Sequence, residues 1–262
     1  MQSRSRSLAV VPATILLAIL AAAPAQASRV NQNGETFEYD AGGGEVNRVS
    51  VSFAVSGSGQ VTTTLSDSEA ISISGSCSHT DGNRRMVRCN SRGNAASAAD
   101  LELGDQDDIL RVVQSDPGRG LAVRIGDGTG DDVITVNSGE TTWANAAGAD
   151  IYRGGAGRDI ALAGDGDDFI LGGNGNDAID GGQGNDQLSG NVGDDRLDGD
   201  EGFDLVEGNA GNDTARGGSD GDFVFGGGGN DRLDGDSGFD RLFGGPGADT
   251  LDGSRTQDIS SG

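Results

Sequence analysis

The chain contains no lysine, so all 18 of its basic residues are arginine, and against them stand 42 acidic residues for a net charge of -24. That balance excludes a nucleic-acid partner, because a phosphate backbone demands the opposite sign. Aromatic residues make up 4% and apolar residues 34% of the 262 positions, which leaves too little side-chain volume for a conventional large core. With one histidine, His79, no HExxH zinc motif can be written, and no GxSxG elbow occurs. His79 reads as a loop residue between the cysteines rather than a base. Two cysteines only, Cys77 and Cys89, exclude a disulfide-dense scaffold. After residue 27 no run is apolar enough to span a membrane.

What is abundant is glycine, 48 residues of it. High acidity with few aromatics ordinarily reads as a disordered chain, but disorder predicts irregular placement of the acids. Here the placement is periodic. From Asp127 to Asp252 a nine-residue repeat runs without insertion through fourteen units, the clearest being Gly172-Gly173-Asn174-Gly175-Asn176-Asp177-Ala178-Ile179-Asp180. Glycine fills the fourth position in thirteen units, with Asp220 the exception, and aspartate fills the sixth in thirteen, with Thr141 the exception. The eighth position is apolar throughout, from Ile134 and Trp143 to Leu242 and Leu251. Each unit reads as a glycine-rich turn followed by a short strand carrying one inward apolar side chain. One such side chain cannot form a core, but stacked units can, so the spacing predicts a quasi-one-dimensional all-β solenoid.

This pattern resembles the RTX, or haemolysin-type, calcium-binding repeat, G-G-x-G-x-D-x-U-x with U apolar. The resemblance implies a right-handed parallel β-roll with two nonapeptides per coil and Ca²⁺ held between turns one coil apart. Mapped onto this chain, one row of ligands comprises Asp159, Asp177, Asp195, Asp213, Asp231 and Asp249. The other comprises Asp132, Asp150, Asp168, Asp186, Asp204, Asp222 and Asp240. Backbone carbonyls of Gly155, Gly157, Gly173, Gly175, Gly182, Gly184, Gly193, Gly202, Gly211, Gly229, Gly238 and Gly247 would complete the coordination. Counting the gaps between row neighbours gives at most eleven ions, five plus six. Asp159 to Asp213 is expected to be the best-occupied stretch.

The chemistry suits the residues. Calcium takes six to eight oxygens at about 2.3–2.6 Å, and glycine-rich turns can offer carbonyls while a short aspartate supplies charge. Between Asp127 and Asp252 there are 28 acidic residues and 6 arginines, a net -22, so folding without metal drives like charges together. Metal binding and folding are therefore expected to be one event, at about 10⁻⁴–10⁻³ M Ca²⁺. The alternative is a solenoid held by packing alone, with solvated aspartates on its turns.

Residues 1–27 read as a signal peptide: Arg4 and Arg6, an apolar stretch from Leu8 to Ala23, and Ala25-Gln26-Ala27 before a mature start at Ser28. An uncleaved anchor is the rival, opposed by the shortness of the run and by Pro12. Export predicts a secreted, extracellular protein and a Cys77–Cys89 disulfide, two free thiols being the alternative. Residues 28–126 alternate in short strand-like stretches and read as a β-rich cap over the first rung, and residues 253–262 as a disordered tail. The stretch Leu103–Leu110 looks like a degenerate repeat, but Asp108 lies 24 residues before Asp132 and is out of register.

The functional expectation is calcium binding by a non-catalytic extracellular array, with partners limited to calcium ions and, through the β-roll, self-association or a cell-surface ligand. An adhesin-like role is the alternative, ahead of the calcium-binding part of a secreted hydrolase. Paired acids such as Asp167-Asp168 imitate a catalytic carboxylate dyad, and Phe225 and Phe243, read as lying in opposite faces, are candidate contacts for a partner.

Overall fold

The structure is a computed structural model that describes residues 29–33, 36–40, 48–55, 61–66, 72–73, 77–80, 83–90, 98–103, 107–114, 122–137, 139–253 and 259–261. Residues 1–27, read as a signal peptide, lie outside these. Among the described residues, 25 strands and no helix form two sheets of 12 and 13 strands, and from Ala98–Glu102 onward strands alternate between the sheets along the chain. Each of these strands pairs in parallel with the one two strands later. Phe169–Asn174, for example, lies against Gln187–Val192 with Ile170 opposite Leu188, a step of 18 residues. The fold is thus an all-β parallel solenoid, a β-roll with two nonapeptides per coil.

The nonapeptide dictates this geometry. Side chains alternate across a strand, so one residue in each three-residue core segment points inward. The eighth-position residues Ile170, Ile179, Leu188, Leu197, Val206, Val224, Leu233 and Leu242 are each at most 3% exposed and form one continuous core, joined by Trp143 and Tyr152, whose rings stack at 5.0 Å. Burying one such aliphatic side chain contributes roughly 1.5–3 kcal/mol, and the regular stacking accumulates it coil by coil.

The sheets do not stop at Asp127. Ala122–Gly126 pairs in parallel with Ala98–Glu102, and that strand with Thr36–Asp40. In the other sheet Val133–Val136 pairs with Ile109–Gln114, and that strand with Arg48–Val55. The N-terminal segment is β-rich, but its strands extend the roll's own two sheets. Beyond them the parallel order gives way to antiparallel strands, Arg29–Asn33 on one sheet and Val61–Ser66 on the other. His79 belongs to the strand Cys77–Thr80, correcting its reading as a loop residue, because this strand pairs with Asn83–Asn90.

The apparent register fault at Asp108 also resolves. Leu110 sits opposite Ile134 and Leu101 opposite Ile125, each 24 residues apart, whereas Leu101 to Leu110 and Ile125 to Ile134 keep the spacing of nine. The six extra residues fall in the connection between Gln114 and Ala122, outside the strands, so the ladder is unaffected.

The disordered tail expected at 253–262 is corrected at its far end. Ile259–Ser261 forms a strand in parallel with Arg241–Phe243, again 18 residues on. Its register makes 253–261 a fifteenth unit that lacks glycine at the fourth position, where Thr256 stands, but keeps aspartate at the sixth, Asp258. Phe225 and Phe243 do not lie in opposite faces either: they are register partners on one sheet and stack at 4.8 Å, because ninth-position residues one coil apart share a face.

Candidate metal centre

The turns between strands carry the aspartates, and the 18-residue register brings each row together. In the second row the Asp186 carboxylate accepts, on Oδ1, the backbone N–H of Asp168 at 2.8 Å, and Asp186 donates its own N–H to Oδ1 of Asp204 at 2.8 Å. The same bond runs from Asp132 to Asp150, Asp150 to Asp168, Asp204 to Asp222 and Asp222 to Asp240, at 2.6–3.0 Å. Asp108 joins this row, its N–H donating to Asp132 at 2.6 Å. The first row is built alike, from Asp159 to Asp177, Asp177 to Asp195, Asp195 to Asp213, Asp213 to Asp231 and Asp231 to Asp249, at 2.8–3.0 Å. Thr141 lacks a carboxylate, yet its backbone N–H still donates to Asp159 at 2.8 Å.

These carboxylates are buried, and accounting for their polar atoms exposes a deficit. Asp186 uses its N–H, its Oδ1 and its carbonyl, the last accepting the N–H of Leu205 at 2.9 Å. Its Oδ2 is buried with no partner, and the same is true of Asp168, Asp177, Asp195, Asp204, Asp213, Asp222 and Asp231. Except at Asp168, whose unit begins with Ala163, each of these Oδ2 atoms folds over the first-position glycine of its own turn. A Cβ at Gly181 would lie 2.3 Å from Asp186 Oδ2, so the repeat's first glycine makes room for the carboxylate. A buried carboxylate oxygen without a hydrogen bond or counter-charge is costly. Desolvation accordingly raises the pKa of Asp168, Asp186, Asp195 and Asp213 to about 6, and of Asp159, Asp204 and Asp222 to about 7. Neighbouring aspartates in the row push in the same direction, while the backbone N–H bonds oppose. Stacked, buried carboxylate oxygens without hydrogen-bond donors fit a hard divalent ion such as Ca²⁺.

The fourth-position glycines hold the turns at contact distance. Gly184 has φ +142°, and a Cβ there would sit 1.7 Å from the carbonyl oxygen of Gly166 one coil before. Gly175, Gly193, Gly202, Gly211, Gly229 and Gly247 meet the preceding coil's carbonyl in the same way, as does Gly238 that of Asp220. Asp220, the residue in place of glycine, keeps the turn by taking φ +77°. After Gly182, second-position glycine is replaced by Asn191, Asp200, Asn209 and Asp236, all at positive φ, and Asn and Asp are the side chains that tolerate it best. Among the second-position carbonyls, that of Gly155 accepts the Asn174 N–H at 2.8 Å and retains a second lone pair.

A second ladder escaped the sequence reading. Fifth-position side chains accept from the backbone one coil later: Asp167 Oδ1 from Asn185, Asp194 Oδ1 from Asn212, and Asn212 Oδ1 from Asn230, at 2.8–3.0 Å. These residues are exposed, and the bonds run opposite to those of the buried ladder. The recurrence of Asn or Asp before the sixth-position Asp was the available signal. The pair Asp167-Asp168 is therefore no catalytic dyad, since one carboxylate is exposed and the other buried. The bonds from Asn185 hold the Asp167 carboxyl below its usual range, whereas desolvation raises that of Asp168.

Cys77 and Cys89 are direct register partners in neighbouring antiparallel strands.

No curated protein matches the chain by sequence. The family model describing the RTX calcium-binding nonapeptide repeat, in four copies, matches overlapping windows that begin at 146–179 and end at 225–259. Over residues 146–259 the chain thus carries RTX calcium-binding nonapeptide repeats, and the fold those residues build is a β-roll.

Proposed function

We propose that this protein is a secreted, non-catalytic calcium-binding array whose roll assembles as the metal binds. The observation that carries the reading is the file of buried Oδ2 atoms without a partner, at Asp168, Asp186, Asp204 and Asp222 in one row and Asp177, Asp195, Asp213 and Asp231 in the other. Ca²⁺ would lie in the gaps between row neighbours 18 residues apart, up to eleven ions in all, with the sixth-position aspartates supplying charge and turn carbonyls such as those of Gly173, Gly175, Gly182 and Gly184 supplying neutral oxygens. The ion supplies the positive charge the row lacks, and this chain's residues orient the oxygens and exclude water. Export fits the same physics, because a net -22 array stays unfolded where calcium is scarce and folds where it is abundant.

The test is far-UV circular dichroism of residues 28–262 after chelation, titrated with Ca²⁺ and, as control, Mg²⁺. A cooperative, calcium-selective gain of β signal is expected. A folded spectrum unchanged by either ion would overturn the reading.

A further inference from the structure

At the N-terminal end of the repeat the pattern is broken in a way that adds chemistry. From Gly172 onward every first position is glycine, packed under a carboxylate. In the unit 127–135 that position holds Asp127, which is fully buried. Ligand-capable oxygens of Asp127, Asp132 and Asp150 all lie within 4.8 Å of one another. Two oxygens bound to one Ca²⁺ are each about 2.3–2.6 Å from it, so that spacing is what a shared ion allows.

The surroundings leave two of these oxygens without a donor. The Trp143 indole N–H donates to Asp127 Oδ2, which leaves Oδ1 buried and without a partner. Asp132 accepts the Asp108 N–H on Oδ1, and its Oδ2 is likewise buried and unpartnered. Asp150 accepts the Asp132 N–H on Oδ1 and the Asn145 side-chain N–H on Oδ2. Three carboxylates thus converge where an ordinary gap has two, and among the described residues no basic side chain is bonded to any of them. Burial pushes the Asp127 carboxyl well above its usual range, with Asp132 and Asp150 adding to it.

The geometry points to Asp127, Asp132 and Asp150 as a distinct three-carboxylate site for a hard cation, tighter than the gaps of the regular rows and filled before them. This inference rests on the proposed calcium binding, since the cation is the same, but it assigns a side-chain ligand that the nonapeptide pattern does not contain, outside the stretch matched by the family model. An extra carboxylate raises the charge on the ion's shell and so its affinity, the lever by which oxygen-ligand sites are tuned.

Trp143 is the chain's only tryptophan and touches Asp127, so it is a built-in reporter. The experiment is Tb³⁺ luminescence of the full mature chain, excited at the red edge of tryptophan absorption and displaced by Ca²⁺, alongside circular dichroism. Wild type is expected to show sensitised emission that saturates at a cation concentration at least tenfold below the midpoint of the β-signal gain. Asp127→Asn, and Asp127→Gly, which restores the repeat's own glycine, are expected to weaken that emission at least tenfold while the calcium-driven β signal is retained. Asp234→Asn, a ninth-position change outside both ligand rows and remote from Trp143, is expected to leave the emission unchanged. Equal Tb³⁺ affinity in wild type and both Asp127 variants, with calcium-driven folding intact, overturns this site alone. No response of wild type to either ion overturns the calcium reading together with it.

Discussion

Asp204 accepts the backbone N–H of Asp186 at 2.8 Å through Oδ1, while its Oδ2 stays buried and unpartnered. One oxygen thus ties adjacent coils together, and the other is available to a cation. The two tasks can be separated by mutation, because asparagine keeps an oxygen for the N–H and loses the charge.

Asp186→Asn with Asp204→Asn is expected to lower calcium stoichiometry by one to three ions, since the pair borders the consecutive gaps 168–186, 186–204 and 204–222. The folding midpoint should move to higher Ca²⁺. Isothermal titration calorimetry checks the count, and an unchanged stoichiometry would remove these residues from the ligand set.

The buried aspartates give a pH dependence with a definite sign. Burial raises the folded-state pKa of Asp186 to about 6 and of Asp204 to about 7, above the ordinary value of 3.8, so without metal the folded roll holds more protons than the unfolded chain. The stability associated with these groups is fully present below about pH 4 and is lost as pH rises through 6 to 7. In chelator, acidification from pH 7.5 to about 4.5 should therefore increase β signal. Calcium competes with those protons, so its affinity should fall as pH drops through the same window, with proton release on binding.

Two glycines distinguish necessity from habit. Gly184→Ala places a Cβ 1.7 Å from the Gly166 carbonyl oxygen at φ +142° and should destabilise the calcium-loaded roll by about 1–3 kcal/mol or prevent that coil from closing. Gly228 has its nearest potential contact at 3.9 Å, and Gly228→Ala should be neutral or stabilise by about 0.4–1 kcal/mol through the unfolded chain. Thermal unfolding in saturating calcium compares them.

For the N-terminal segment, the opposition of Cys77 and Cys89 across neighbouring strands predicts a disulfide in exported protein. Intact mass should be two hydrogens below the reduced value, with a linked peptide on non-reducing digestion. Two alkylatable thiols in native protein would be the contrary result.

The sequence by itself determined the repeat, its two aspartate rows and the apolar column from Ile134 to Leu242. Each follows from a period of nine meeting the two-residue alternation of a strand, and this needs no knowledge of what lies next to what. Tertiary structure decided what depends on pairing partners. Asp108 enters the ladder because strand register ignores six residues inserted in a connection, whereas counting along the chain does not. Ile259–Ser261 becomes a strand because Arg241–Phe243 offers it a free edge, although Ile259 is its only apolar residue. The same stacking that sends one oxygen of each aspartate to a neighbouring backbone strands the other in the interior, and it sets Asp127 beside Asp132 and Asp150. A one-dimensional period specifies which residue recurs, while burial and the surplus of lone pairs arise only when the coils lie on one another.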